Sequence, residues 1–156
     1  MRPAVLLDVD GVLNPLSVTC PSGYQEEMMD GDLVRWHADH GRQLLAVTAG
    51  RADLIWVTTW EDDANALLCP RLGLPALPVI ELRGGNVAGT WKLDDVRRWA
   101  GAHRPVAWLD DELRGDAYRW AAGRSAPTLL LRTDAAVGVQ PHHFQQLDRW
   151  LSELCA

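Results

Sequence analysis

Ala4-Val5-Leu6-Leu7-Asp8-Val9-Asp10-Gly11-Val12-Leu13-Asn14 is the stretch on which the fold turns. Its opening apolar run, without alternation, is the pattern of a strand covered on both faces, as in a parallel sheet. Two carboxylates, Asp8 and Asp10, end that strand and run straight into a glycine turn. In doubly wound sheets, ligands bind at the carboxyl ends of the strands. Packing alone gives no reason for two acids there, because unpaired carboxylates are costly to bury. A divalent cation would relieve their repulsion, and oxygen ligands of this kind suit Mg²⁺. Taken singly, the motif also fits a structural Asp in a tight turn.

Similar apolar runs recur at Leu54 to Thr58, Leu77 to Leu82, Pro105 to Leu109 and Pro127 to Leu131. Helical patterns lie between them. One covers Asp62 to Leu68 and stops before Pro70, a second runs from Leu93 to Ala100, and a third from Leu113 to Ala122. Gly101 and Gly123 end the last two. A fourth opens with Pro141 in its first turn and places Phe144, Leu147, Trp150, Leu151 and Leu154 on one face. The alternation predicts an α/β fold: a three-layer, Rossmann-like sandwich around a central five-stranded, mostly parallel sheet. Residues 14–47 break the pattern. Apolar clusters at Leu33 to Trp36 and Gln43 to Val47 flank a turn-like His37 to Arg42, which predicts a β-hairpin flap after the first strand. With no linker or repeat, a single domain over residues 1–156 is expected.

Composition narrows the class. The chain has 156 residues, 47% hydrophobic and 23% charged, which fits one globular domain. No run approaches the roughly 18 apolar residues of a membrane span. Two acids interrupt the first apolar run by Asp10, unlike a secretory signal, so a cytoplasmic location and no membrane partner are expected. Cys20, Cys69 and Cys155 are odd in number and widely spaced, which suggests neither a disulfide framework nor a structural zinc site. The net charge of -6 argues against a uniformly basic nucleic-acid surface, though not against a local anion pocket. Of the 15 basic residues, Lys92 is the one lysine. It marks either a site where a compact ammonium is needed and a planar guanidinium would not fit, or chance.

Three further pieces join the first strand. Trp108-Leu109-Asp110-Asp111-Glu112 again ends an apolar strand in adjacent acids. Asp111 or Glu112 alone would serve as a helix start, but two strands delivering acids to one sheet edge are harder to explain that way. Ile55-Trp56-Val57-Thr58-Thr59 ends a strand in hydroxyls, and Lys92 precedes a helix just before the second acidic strand.

Asp8-x-Asp10-Gly11, the strand ending in Thr58, then Lys92, then Asp110-Asp111 resembles, in order, motifs I to IV of the haloacid dehalogenase (HAD) superfamily of phosphohydrolases. Trp56-Val57-Thr58-Thr59-Trp60-Glu61 with Ala64-Asn65 is also similar to the compact HAD domain of bacterial Swiss army knife RNA-repair proteins. The resemblance implies a phosphomonoesterase working through an aspartyl-phosphate. Asp8 would attack phosphorus, and Asp10 would act as general acid and then base. Thr58 would hydrogen-bond the phosphoryl oxygens, and Lys92 would neutralise charge. Thr59, Gly11 and Trp60 would contact substrate. Asp8, Asp10 through its backbone carbonyl, Asp110 and Asp111 would hold Mg²⁺.

HAD enzymes commonly select substrates with a cap inserted after motif I or II. Here the gaps are about 48 and about 34 residues, too short for a sizeable extra domain. A capless, open site is therefore expected, suited to a large phosphorylated partner such as a nucleic-acid end or nucleotide. A small-metabolite or phosphoprotein phosphatase and a non-catalytic binding module are the alternatives. Of eight Trp residues, Trp56, Trp108, Trp99, Trp120 and Trp150 have core-like positions, whereas Trp36, Trp60 and Trp91 are candidates for the site rim. His37 and His40 lack a third ligand and read as a solvated turn. Arg35, Arg42 and Arg51 are scattered surface charges or a modest basic rim.

Overall fold

The structure is a computed structural model and describes residues 1–85 and 87–156. β1 (Ala4–Leu7) is wholly buried, as an unbroken apolar run in a parallel sheet requires. It lies between β4 (Asp53–Trp56) and β5 (Val106–Asp110), and β6 (Thr128–Arg132) pairs outside β5; all three pairings are parallel. Successive residues of β1 point to opposite faces. Val5 and Leu7 enter a core with α1 (Ala38–Thr48), α2 (Cys69–Leu72) and α5 (Pro141–Cys155). Ala4 and Leu6 enter a second core with α3 (Leu93–Ala100) and α4 (Gly115–Ala122). The three layers are those expected. α5 buries Phe144, Leu147 and Leu151 as its periodicity foretold; truncating Leu147 to Ala would cost roughly 2–5 kcal/mol.

The main sheet has four strands rather than the expected five. Leu77 to Leu82 contributes one parallel bridge, Trp56 with Val79. There Trp56 N donates to Pro78 O at 2.8 Å, and Ile80 N donates to Trp56 O at 2.9 Å. Pro78 has no N–H to donate to β4, so the ladder cannot extend toward the amino end of the run.

The expected flap is also shorter than residues 14–47. β2 (Gln25–Met29) and β3 (Asp32–Trp36) form an antiparallel hairpin. Its two turn residues, Asp30 and Gly31, both have positive φ, 49° and 90°, the backbone of a tight hairpin turn. Gln43 to Val47, expected in the flap, lies in α1. His37 begins that helix by accepting the Asp39 N–H on Nδ1 at 3.2 Å. Gly41 is a contact glycine rather than a turn glycine, since a Cβ there would sit 1.8 Å from the Leu72 carbonyl oxygen of α2. Pro70 does not end the preceding helix either. A π-helical turn (Ala64–Leu68) passes into α2, where Pro70 sits in the first turn and needs no donor. Among the described residues no helix is long and apolar enough to cross a membrane.

Candidate active site

Register places the first acids. Leu7 of β1 pairs with Trp56 on one side and Leu109 on the other. The next residues, Asp8 and Asp110, therefore leave adjacent strands at one height, and Thr58 follows two residues past the end of β4. Lys92, just before α3, reaches between the acids: its Nζ lies 2.7 Å from Asp8 Oδ2 and 2.8 Å from Asp110 Oδ2. All three are buried, Lys92 at 3% exposure, Asp8 at 6% and Asp110 at 1%. The remaining oxygens are also engaged, Asp8 Oδ1 by Val9 N at 2.8 Å and Asp110 Oδ1 by Glu112 N at 2.9 Å. A single compact ammonium serves both carboxylates in this geometry.

The approach to Lys92 is fixed by residues the sequence reading missed. Thr90 donates from its N and Oγ1 to the Asp116 carboxylate of α4, and its Oγ1 accepts Arg114 N at 2.8 Å. Thr90 is buried. The one legible signal was a Thr two residues before the only lysine.

The electrostatics are those of a crowded, dry site. Burial pushes the Asp8 carboxyl up to about 8; the Lys92 charge opposes this and the Asp110 charge adds to it. Burial works against the Lys92 ammonium, but Asp8 and Asp110 overcome it and leave its pKa raised. Asp111 is raised by burial and then by the neighbouring Asp110 charge.

Asp111 joins the pair across Gly11. That glycine has φ +76°, and a Cβ on it would lie 2.5 Å from Asp111 Cγ. Gly11 is buried and its carbonyl accepts Thr133 Oγ1 at 2.6 Å, and its lack of a Cβ leaves the room that the Asp111 carboxylate occupies. Ligand atoms of Asp8, Asp110 and Asp111 all lie within 4.8 Å of one another. Such an all-carboxylate set fits a hard divalent cation. The Asp10 side chain is not in this cluster; its backbone carbonyl accepts no hydrogen bond from any described residue. A cation at the three acids would offset both the cost of burying their charge, which is the larger cause of the raised Asp8 and Asp111 values, and the like-charge repulsion that adds to it.

Asp10 points elsewhere. Its Oδ1 accepts Asn14 Nδ2 at 2.8 Å and its Oδ2 accepts the Trp60 indole N–H at 3.0 Å. Thr58 is fully buried, and its Oγ1 accepts Trp60 N at 3.2 Å. Thr59 is exposed. A cleft of about 180 Å³ opens above the floor, lined by Asp8, Asp10, Thr59, Trp91, Lys92 and Asp111 among others. A second, about 270 Å³, shares Asp10 and Thr59 and continues past Trp60 to Asp30, Asp32 and Asp63. A larger groove, about 670 Å³, lies at the amino end of β4, against Arg2, Asp53, Trp99 and Arg104. Asp53 there is paired with both arginines, and that groove lacks the acid–lysine chemistry.

Of the rim tryptophans, Trp91 and Trp60 line the clefts, whereas Trp36 packs on the core under Arg71. Trp56 and Trp108 are buried as expected, and Trp99, Trp120 and Trp150 pack half-buried on the cores. The arginines form no basic rim. Arg35 pairs with Glu26, Arg42 with Asp39 and Arg51 with Asp148. His37 and His40 stack at 4.8 Å at the start of α1 rather than in a solvated turn.

A parallel sheet with helices on both faces, two acids on neighbouring strand ends, a third acid beside them and a lysine bridging the first two define a domain of the haloacid dehalogenase class. The family described as the HAD domain in Swiss Army Knife RNA repair proteins matches residues 4–144, and the chain belongs to that family. No curated protein matches it.

Proposed function

We propose that this single, capless domain is a Mg²⁺-dependent phosphomonoesterase, and the observation that carries the reading is the Lys92 bridge between Asp8 and Asp110. Lys92 holds the Asp8 carboxylate in place and lowers the charge that an incoming phosphoryl group meets. Asp8 attacks phosphorus, the bond to the leaving oxygen breaks, and Asp10 gives that oxygen a proton. Asp10 then takes a proton from the water that cleaves the aspartyl-phosphate. The Thr58 hydroxyl, whose oxygen already accepts Trp60 N, has its proton to give to the phosphoryl group, and Thr59 and Trp60 face the substrate. Asp8, Asp110 and Asp111, with the Asp10 carbonyl, would hold Mg²⁺, which supplies charge neutralisation and orientation when bound.

The family name supports a substrate with its phosphate on a nucleic-acid end or nucleotide, and the open cleft suits a large molecule. One observation favours a second reading, a small phosphorylated metabolite. Asp30, Asp32 and Asp63 line the adjoining cleft, and among the described residues neither cleft is lined by an arginine, a poor setting for a polyanion. Hydrolysis of para-nitrophenyl phosphate with and without Mg²⁺ tests the chemistry. The wild type should turn over only with the metal, and Asp8→Asn should lose about 10⁴-fold or more. Equal rates for the two proteins would overturn the assignment of Asp8. Oligonucleotides phosphorylated at the 3′ or 5′ end, assayed beside a metabolite panel, separate the two substrate readings.

A further inference from the structure

The two aspartates of the first motif are held in opposite ways. Asp8 faces an ammonium. Asp10 faces two neutral N–H donors, one on each carboxylate oxygen, from Asn14 and Trp60. Neither donor is loose. Asn14 is 4% exposed, and its Oδ1 accepts Arg35 N of β3 at 2.9 Å, which ties it to the hairpin. Trp60 is anchored by its own N–H on Thr58 Oγ1, and the chain behind it turns through Glu61 at φ 47°. The half-buried indole also packs on the core, so its N–H is aimed by its surroundings.

We infer that Asn14 and Trp60 are positioning residues that aim the Asp10 carboxyl at the leaving oxygen, and that Trp60 acts through its indole N–H rather than as a stacking surface. This rests on the phosphatase reading above. A proton donor works only within hydrogen-bond reach of its target, and a carboxyl on a rotatable bond at the entrance to a glycine turn has no other fixed partner among the described residues. The hairpin reaches the chemistry by the same route, through Arg35 N and Asn14.

The leaving group separates this role from a structural one. Para-nitrophenolate departs without help, whereas an alkoxide needs the proton. Trp60→Phe keeps a ring and removes the donor. It should lower kcat/KM for β-glycerol phosphate about tenfold or more beyond its effect on para-nitrophenyl phosphate, with Asp10→Asn giving the same selectivity. Asn14→Leu should behave likewise. An equal loss on both esters, or a rise in KM with kcat unchanged, would overturn the inference, because a packing role or a stacking wall predicts those results. A second readout is independent of turnover. In ¹⁵N-Trp-labelled protein the Trp60 indole resonance, assigned with Trp60→Phe, should move upfield in Asp10→Ala. An unmoved resonance removes the clamp even in an active enzyme. Absence of wild-type hydrolysis of either ester would instead overturn the phosphatase reading and the assigned role with it.

Discussion

The floor of the cleft and its rim are assembled by different means. At the floor, Asp8 and Asp110 stand on adjacent strand ends and Lys92 on a helix start, all nearly sealed from solvent. Main-chain register sets the two acids, and the buried Thr90 bonded to Asp116 sets the approach of the lysine. At the rim, Asp10, Trp60 and Thr59 stand on turns, partly or largely exposed, and Asp10 is placed by side-chain bonds from Asn14 and Trp60. Floor substitutions should therefore damage stability and activity together. Rim substitutions should damage activity with little effect on stability.

The largest expected effect breaks the floor. Lys92→Met leaves two buried carboxylates facing each other and should cost about 3–5 kcal/mol in urea unfolding. Phosphatase activity should fall about 10³-fold or more in the same protein. Mg²⁺ should restore part of the lost stability, because a cation replaces the missing charge. If stability in the absence of metal were unchanged, the floor would not be the coupled cluster described here.

The next test lies where the regions meet. Gly11→Ala combines a left-handed backbone with a Cβ driven into Asp111. It should cost about 2–3 kcal/mol, part from the backbone conformation and part from displacing the carboxylate. The Mg²⁺ concentration for half-maximal activity should rise as well. A variant that loses stability but keeps its metal dependence would place Asp111 outside the floor.

The smallest effect concerns the root of the hairpin. His40 stacks on His37 and lies against Tyr24, just before β2, and Phe144 of α5. Burial first, and the His37 charge second, hold its pKa down to about 4, with Asp39 opposing. Between about pH 6.5 and 4 the unfolded chain binds a proton that the folded one refuses, so stability falls as pH drops through that window. The loss attributable to His40 should be about 2 kcal/mol after allowance for partial exposure, read as a pH series of urea midpoints. His40→Phe should flatten it. An unchanged slope would detach the hairpin's anchorage from this histidine.

Legibility in the sequence follows the same division. The floor could be read because burial on both faces writes an unbroken apolar run and the acids that follow it stand out. Lys92 stood out because every other basic residue is arginine. The helix over Leu93–Ala100 was legible in both bounds, ending at Gly101. The rim was less legible because its bonds are made by side chains on turns, one across four residues and one across fifty. Nothing local marks Asn14 as a donor to Asp10, or Trp60 as a donor rather than a stacking ring. Gln43 to Val47 is too short an apolar run to tell helix from strand, and Gly41 reads as a turn until α2 is seen against it. The missing fifth strand has a similar cause. Its hydrophobicity was visible, but Pro78 takes away a ladder donor on the side that faces β4.

That proline-interrupted segment has a further consequence for the molecule among its own copies. The margin of the sheet beyond β4 would otherwise be free to recruit another chain. At Trp56 both main-chain groups are already engaged by Pro78 and Ile80, so the next molecule finds that part of the margin taken. The fold thus carries a built-in deterrent to edgewise aggregation along the β4 margin of its sheet.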